Sequence, residues 1–426
     1  MKTLLEENHD LPLVRVQVAL ATGAADEPED RDGLTNFATE LLARGAAGKT
    51  RAQLDAAFDA LGAGLEIVTD LDGAYFELTV LKSKLDAALA LLGGVLARPD
   101  FPPDEADKLK REIKAQLDEM RDDDGSLARR FFQRAMFGAH PYGRTVVGTE
   151  RSLDALTLDE ARAWHARAVR RGNLLIGFAG DLDQREADAA VQRHFAAIPD
   201  GGAPAVHYPP PPPVRGSRLT IVDKPDRTQS QILFGQPAPA WGEPDFWPLH
   251  VAVTAFGGTF TARLMNEVRS KRGLSYGASA RIGRGRGRKA LVAHVFPSLE
   301  QTAETLDLVL GLWRDWVEGG ITAEELAFAQ GYLASSFAFN LATPEDRLEL
   351  RAAVEIAGLD GNYAAEYPER VRAVTLDDTR RVMRQHLSPR ELEICIVSTA
   401  AELRPLLEAA QLTEGHRVEV VPFDSF

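Results

Sequence analysis

Cysteine is nearly missing from this chain: Cys395 is the only one in 426 residues. A single thiol excludes an internal disulfide and a structural zinc site built from several thiolates. It sits in the apolar run Ile394-Cys395-Ile396-Val397, where a buried, inert thiol is expected. No apolar run reaches the roughly 18 residues that a helix needs to cross a bilayer, so no membrane span is expected. Positive charge is in deficit, with 49 Lys and Arg against 63 Asp and Glu and a net charge of −14, which argues against a nucleic-acid partner. A leader is not evident either. Met1 to Leu13 carries Glu6, Glu7 and Asp10 and enters a strand almost at once, as a trimmed natural start would. The expected compartment is cytoplasmic for the chain as given, and periplasmic if a leader was removed.

Familiar catalytic patterns are missing too. None of the nine histidines pairs with another at i, i+4, the spacing that grips zinc from one helix face. There is no Gly-x-Ser-x-Gly elbow, and Cys395 has no activating neighbour in sequence. Gly257-Gly258 and Gly283-Arg284-Gly285-Arg286-Gly287 are glycine-rich but lack the Gly-Lys-Ser/Thr of a phosphate loop, and the second reads as a basic hairpin loop.

What is present is a long, ordinary globular composition, 45% hydrophobic and 26% charged, with length for two to four domains at roughly 100–200 residues each. Gly201-Gly202-Ala203-Pro204 and Pro209 through Pro213 mark a break. Consecutive prolines favour an extended spacer, so residues 201–216 read as a linker between an N-terminal half, 1–200, and a C-terminal half, 217–426. A proline-rich ligand for another domain is the other reading.

The halves repeat one another. Thr157-Leu158-Asp159-Glu160 opens a helix leading to Leu174-Leu175-Ile176-Gly177-Phe178, and Thr375-Leu376-Asp377-Asp378 opens one leading to Ile394-Cys395-Ile396-Val397, at an offset of 218. Phe101 to Glu105 and Ile321 to Glu325 each open a long helix at an offset of 220, each preceded by an amphipathic helix. Asp10 and Asp226 precede matching strands at an offset of 216. Matched landmarks in one order imply an internal duplication. Each half reads as strand, two helices, a strand pair, three helices and a strand. The expected class is α+β, with helices packed on a largely antiparallel sheet in each half.

Gly33-Leu34-Thr35-Asn36-Phe37-Ala38-Thr39-Glu40-Leu41-Leu42-Ala43-Arg44-Gly45 resembles the helix that carries the inverted HxxEH motif in the pitrilysin/insulinase family of zinc peptidases. Arg111 to Met120 resembles the family helix bearing the third zinc ligand, and His140-Pro141-Tyr142-Gly143 a recurrent loop. Gly257 to Leu264 and Arg269 to Tyr276 are similar to the family's second-domain signature. In this register the first motif histidine is replaced by Asn36, the catalytic glutamate by Thr39 and the second histidine by Glu40. The third ligand matches Glu119 and the supporting glutamate Glu112. A catalytic zinc needs about three protein ligands and a base, so the resemblance implies no cofactor in this chain. For Glu112 and Glu119 a solvated or salt-bridged helix face is the competing reading.

The resemblance also implies that Arg269 and Tyr276 hydrogen-bond peptide carbonyls held at a zinc, where a guanidinium and a phenol suit a developing oxyanion. Spacing alone favours a helix-end cation and a core tyrosine. Family members with a degenerate zinc motif and an intact Arg/Tyr pair serve as non-catalytic subunits that form a clamshell with a zinc-bearing homologue around peptide substrate. Mitochondrial processing peptidase and bacterial two-gene peptidases resemble this arrangement. The expected function is therefore a zinc-less peptidase subunit, inactive alone, with zinc in its partner. A structural or peptide-binding homologue is the second expectation, and a stand-alone peptidase using another metal set the third.

Overall fold

The computed structural model describes residues 1–202 and 208–425, so residues 203–207 of the expected linker lie outside the described residues. The first strands are β1 (Lys2–Glu7), with Leu4 buried, and β2 (Leu13–Leu20), in which Val14, Val16 and Val18 are fully buried. Helix α1 (Leu34–Leu42) follows, then a short ribbon of β3 (Gly45–Ala46) and β4 (Lys49–Thr50), and α2 (Arg51–Asp59). The hairpin of β5 (Glu66–Thr69) and β6 (Ala74–Leu81) leads to α3 (Leu85–Ala97), α4 (Pro103–Asp122) and α5 (Asp124–Phe137). After α6 (Glu150–Ala155) and α7 (Leu158–Ala168), β7 (Leu174–Gly180) is buried at every residue, and α8 (Gln184–His194) closes the half.

The second half runs β8 (Ser217–Asp223), β9 (Gln231–Pro237), α9 (Phe246–Val253), the short α10 (Arg263–Met265), β10 (Ser275–Ile282) and β11 (Ala290–Pro297). Then come α11 (Thr302–Gly319), α12 (Ala323–Ser336), α13 (Pro344–Ile356), α14 (Tyr363–Arg372), α15 (Leu376–His386), β12 (Glu393–Ser398), α16 (Ala400–Ala409) and β13 (His416–Pro422).

The duplication is visible in the sheets. The first has the order β1-β7-β2-β6-β5 and the second β10-β11-β9-β12-β8-β13. Matching β1 to β8, β7 to β12, β2 to β9, β6 to β11 and β5 to β10 reproduces order and direction, with one parallel pair, β1 with β7 and β8 with β12, and the rest antiparallel. The second sheet adds β13, parallel to β8. The helix starts matched in sequence carry the same cap: Thr157 and Thr375 each accept the N–H three residues on, and each is capped in return by the acidic side chain there.

The chain forms two compact units, and each draws on both halves. Unit 1 is Met1–Leu117, Arg144–His207 and Ala338–Gly361; unit 2 is Asp118–Gly143, Tyr208–Phe337 and Asn362–Phe426. Thus α13, from late in the sequence, packs on β1 and β7, burying Leu348, Ala352 and Ile356 against Leu4, Ala19, Leu175 and Ala179. Gly177 makes room for it, since a Cβ there would stand 2.5 Å from a Leu348 methyl. In unit 2 the corresponding helix is α5, from early in the sequence, which packs on β9 and β12. Its N-terminus is held by Lys224, whose ammonium reaches Asp124 at 2.6 Å.

Candidate functional site

Helix α1 starts at Gly33, whose φ of 90° is left-handed and whose missing Cβ lets the Gly148 backbone approach. The free N–H groups of that first turn are met by a side chain from upstream. Glu27 accepts from Gly33 N–H at 2.9 Å and Thr35 N–H at 2.7 Å. Glu27 is buried, and burial pushes its carboxyl well above the usual range against those two hydrogen bonds.

The motif positions follow along α1. Asn36 is half-buried. Thr39 is fully buried, and its hydroxyl lies 2.9 Å from the Thr35 carbonyl, 3.0 Å from that of Asn36 and 3.1 Å from the Thr69 hydroxyl. Glu40 is half-buried and its carboxyl is raised, chiefly by burial; Arg44 opposes the shift, Glu112 adds to it and Arg51 opposes it. Arg44, one turn on, is buried and donates to both oxygens of Glu112 on α4. Arg51 reaches Glu112 at 3.2 Å and Glu105 at 3.5 Å, and Lys108 reaches Glu105 at 2.6 Å. Glu112 is held down at about 2, first by its hydrogen bond from Arg44 and then by Arg51.

The zinc implied by the family does not fit this surface. Its three motif positions offer an amide, a hydroxyl bonded to its own helix and one carboxylate, with no imidazole, and Glu112 is held by arginines. Among the described residues no group of three or more His, Cys, Asp and Glu is placed to hold a metal ion. Glu112 adopts the salt-bridged reading. Glu119, seven residues further along α4, is exposed and makes no ion pair with the described residues.

Unit 2 builds a different cluster. Helix α9 runs into a widened helical turn at Thr254–Gly258. Gly257 is thus helical rather than part of a loop, and a Cβ on it would stand 2.7 Å from Ala280 of β10. After the turn at Thr259 to Ala262, Arg263 clamps Glu325 of α12 at 3.0 and 2.7 Å and the Gly320 carbonyl at 3.2 Å. Leu264 and Val268, one helical turn apart, are fully buried. A second widened turn, Asn266–Ser270, ends at Gly273 with a left-handed φ of 65°. Gly273 N–H bonds the Arg269 carbonyl and Leu274 N–H that of Val268, both at 3.0 Å, closing the helix as a glycine cap does.

The strand that follows is irregular. Its pairing with β11 shifts between Ser275 and Ala278, and the Ser275 hydroxyl donates to the Gly277 carbonyl at 2.7 Å while accepting Phe296 N–H at 3.0 Å. Tyr276 lies inside the irregularity and is 77% exposed, which rules out a core tyrosine. The Arg269 guanidinium carbon stands 4.4 Å from the Tyr276 ring centre and 5.0 Å from that of Phe260, itself 62% exposed. The nearby carboxylate of Glu267 is taken by Lys271 and Arg272, and Arg269 makes no ion pair with the described residues.

Sequence reasoning missed Phe260, Glu27, Arg44 and Arg51. Arg44 follows Glu40 at i, i+4, a signal available without a structure. Phe260 lies within the quoted signature but carries no polarity to draw attention. The two loops noted in sequence serve packing within unit 2. Tyr142 is buried and its hydroxyl accepts Gly287 N–H at 2.7 Å, while Arg288 of the glycine-arginine loop is clamped by Glu243 at 2.6 Å through two nitrogens.

Comparison with known proteins gives matching signals. The family model described as "Insulinase (Peptidase family M16)" matches residues 2–150, and that described as "Peptidase M16 inactive domain" matches residues 155–333. An uncharacterized zinc protease of Mycobacterium bovis is 27% identical over 378 residues, covering 88% of this chain and 86% of that protein. The non-peptidase homolog YmxG of Helicobacter pylori is 22% identical over 396 residues, covering 93% and 91%. The crystal structure of a peptidase M16 inactive domain from Pseudomonas fluorescens superposes with a TM-score of 0.85 at 26% identity, covering 93% of this chain and 94% of that one.

Proposed function

Because the chain belongs to the insulinase family, peptidase family M16, we propose that it acts as the zinc-less subunit of a heteromeric metallopeptidase. In this reading it forms a clamshell with a zinc-bearing homologue, encloses peptide substrate and supplies Arg269 and Tyr276 to the partner's active site. The observation that carries the reading is the state of Arg269: a guanidinium without an ion pair among the described residues, set against an exposed phenol. Such a fork can take a peptide carbonyl and strengthen its hold as negative charge develops there. Tyr276 presents its phenol at the same surface as a second donor. In this reading the attacking water and its base belong to the partner, because Thr39 stands at the position of the family's catalytic glutamate.

Peptide hydrolysis tests this. The chain alone and the zinc-bearing homologue alone should give little turnover, and the mixture should be active. Arg269→Ala and Tyr276→Phe should each reduce the mixture's rate without weakening assembly. Chelator-sensitive hydrolysis by the purified chain by itself would reject the reading.

The Helicobacter pylori relative is named a non-peptidase homolog, and that favours a second reading, a structural or peptide-binding homologue. An unchanged rate in the Arg269→Ala/Tyr276→Phe double variant would select it.

A further inference from the structure

We propose that Phe260 is a positioning residue for Arg269, holding the guanidinium plane so that its N–H edge meets substrate; this rests on the function proposed above. Phe260 is 62% exposed, so burial does not explain a phenyl ring at that place. Its ring centre lies 5.0 Å from the Arg269 guanidinium carbon, within cation–π range, and Tyr276 supplies a second ring at 4.4 Å.

The ring's position is set by backbone. On one side Gly257 lies so close to Ala280 that a Cβ would stand at 2.7 Å; on the other Arg263 is clamped to Glu325 through two nitrogens. The five residues between them, Gly258 to Ala262, present Phe260. Arg269 has the opposite character: a long side chain with many rotamers and, among the described residues, no carboxylate to fix it. Glu267, the acid two residues before it, is already bonded to Lys271 and Arg272. Aromatic faces are therefore what orders Arg269. A guanidinium held through its face keeps its in-plane donors free, whereas a carboxylate would occupy them.

The test separates a π-face from mere bulk. In the reconstituted mixture, Phe260→Ala and Phe260→Leu should each lower kcat/KM about threefold to fivefold, the worth of one exposed cation–π contact. Phe260→Tyr and Phe260→Trp should stay within about twofold of the parent. All four should keep the parental Tm, since the side chain is exposed. Selectively labelled arginine read by NMR supplies a second measurement on the chain alone: the Arg269 Nε signal should move in the Ala and Leu variants and hold in the Tyr and Trp variants. An unmoved signal in Phe260→Ala overturns the inference whatever the rates do. So does a Leu variant as active as the parent. A moved signal together with an Arg269→Ala mixture at full rate condemns the proposed function instead, and with it any part for Phe260 in turnover.

Discussion

Helix α1 in unit 1 and the Arg263–Tyr276 segment in unit 2 both carry family signatures, and they handle charge in opposite ways. Around α1 the cations and carboxylates satisfy one another: Arg44 and Arg51 take Glu112 and Glu105, and Lys108 completes the set. In the unit 2 segment Arg263 is clamped, Lys271 and Arg272 share Glu267, and Arg269 alone is left among aromatic rings. A surface whose charges are mutually neutralised stabilises a fold. A cation with no counter-charge among the described residues is open to an acceptor from outside. Under the proposed function, the missing metal residues of α1 and the presence of Arg269 belong to one division of labour.

That contrast can be broken most visibly in turnover. Arg269→Ala should lower the mixture's kcat about 100-fold, the usual scale for removing an oxyanion donor, while Glu112→Gln should leave it within about twofold. Equal losses would erase the distinction between the two surfaces.

The next largest effect is at Glu393, whose shift is opposite in sign to that of Glu112. Glu393 is fully buried beside Arg218 and its carboxyl is raised to about 7, chiefly by burial, with Arg218 opposing and Glu419 adding. The unfolded chain gives up this proton near the usual glutamate value, so stability falls as pH rises from there to about 7 and stays low above it. Glu393→Gln should therefore stabilise by about 3 kcal/mol at pH 8 and by little at pH 4, measured by denaturant titration at both.

The sheet centres sharpen the comparison further. Gly177 and Cys395 hold equivalent places, the first opposite Leu4 and Gln17, the second opposite Thr220 and Leu233. Gly177→Cys should cost about 2 kcal/mol by forcing Leu348 aside. A double-mutant cycle with Leu348→Ala should recover part of that loss. Additive costs would show that α13 does not set the requirement for glycine.

The smallest effect is Glu112→Gln in stability. The carboxyl is lowered to about 2, so its contribution is present above the usual glutamate range and is lost as pH falls toward 2. With its side chain 45% exposed, solvent screening leaves about 1 kcal/mol at pH 7. The difference from the parent should shrink in acid.

Much of this was legible in the sequence because it rests on local patterns. The caps at Thr157 and Thr375, the valine alternation before Leu20 and the constant offsets announced the duplicated α+β plan. Leu264 and Val268 stand at helical spacing with Gly273 after Lys271 and Arg272, so the buried stripe and the cap are local patterns too. The exchange of α5 and α13 between units was not, since an amphipathic helix shows that it has a buried face and not which sheet receives it. Tyr276 illustrates the same limit at the site: its period fits a core strand, and only the shifted pairing at Ser275 turns it outward. The ion pairs of Arg44 and Arg51 with Glu105 and Glu112 were not legible, because those partners are distant in sequence.

The most direct measurement is zinc content. The chain alone, dialysed against zinc and then against metal-free buffer, should retain none above the buffer level. One zinc per chain, lost on substitution of Glu40 or Glu119, would contradict the account.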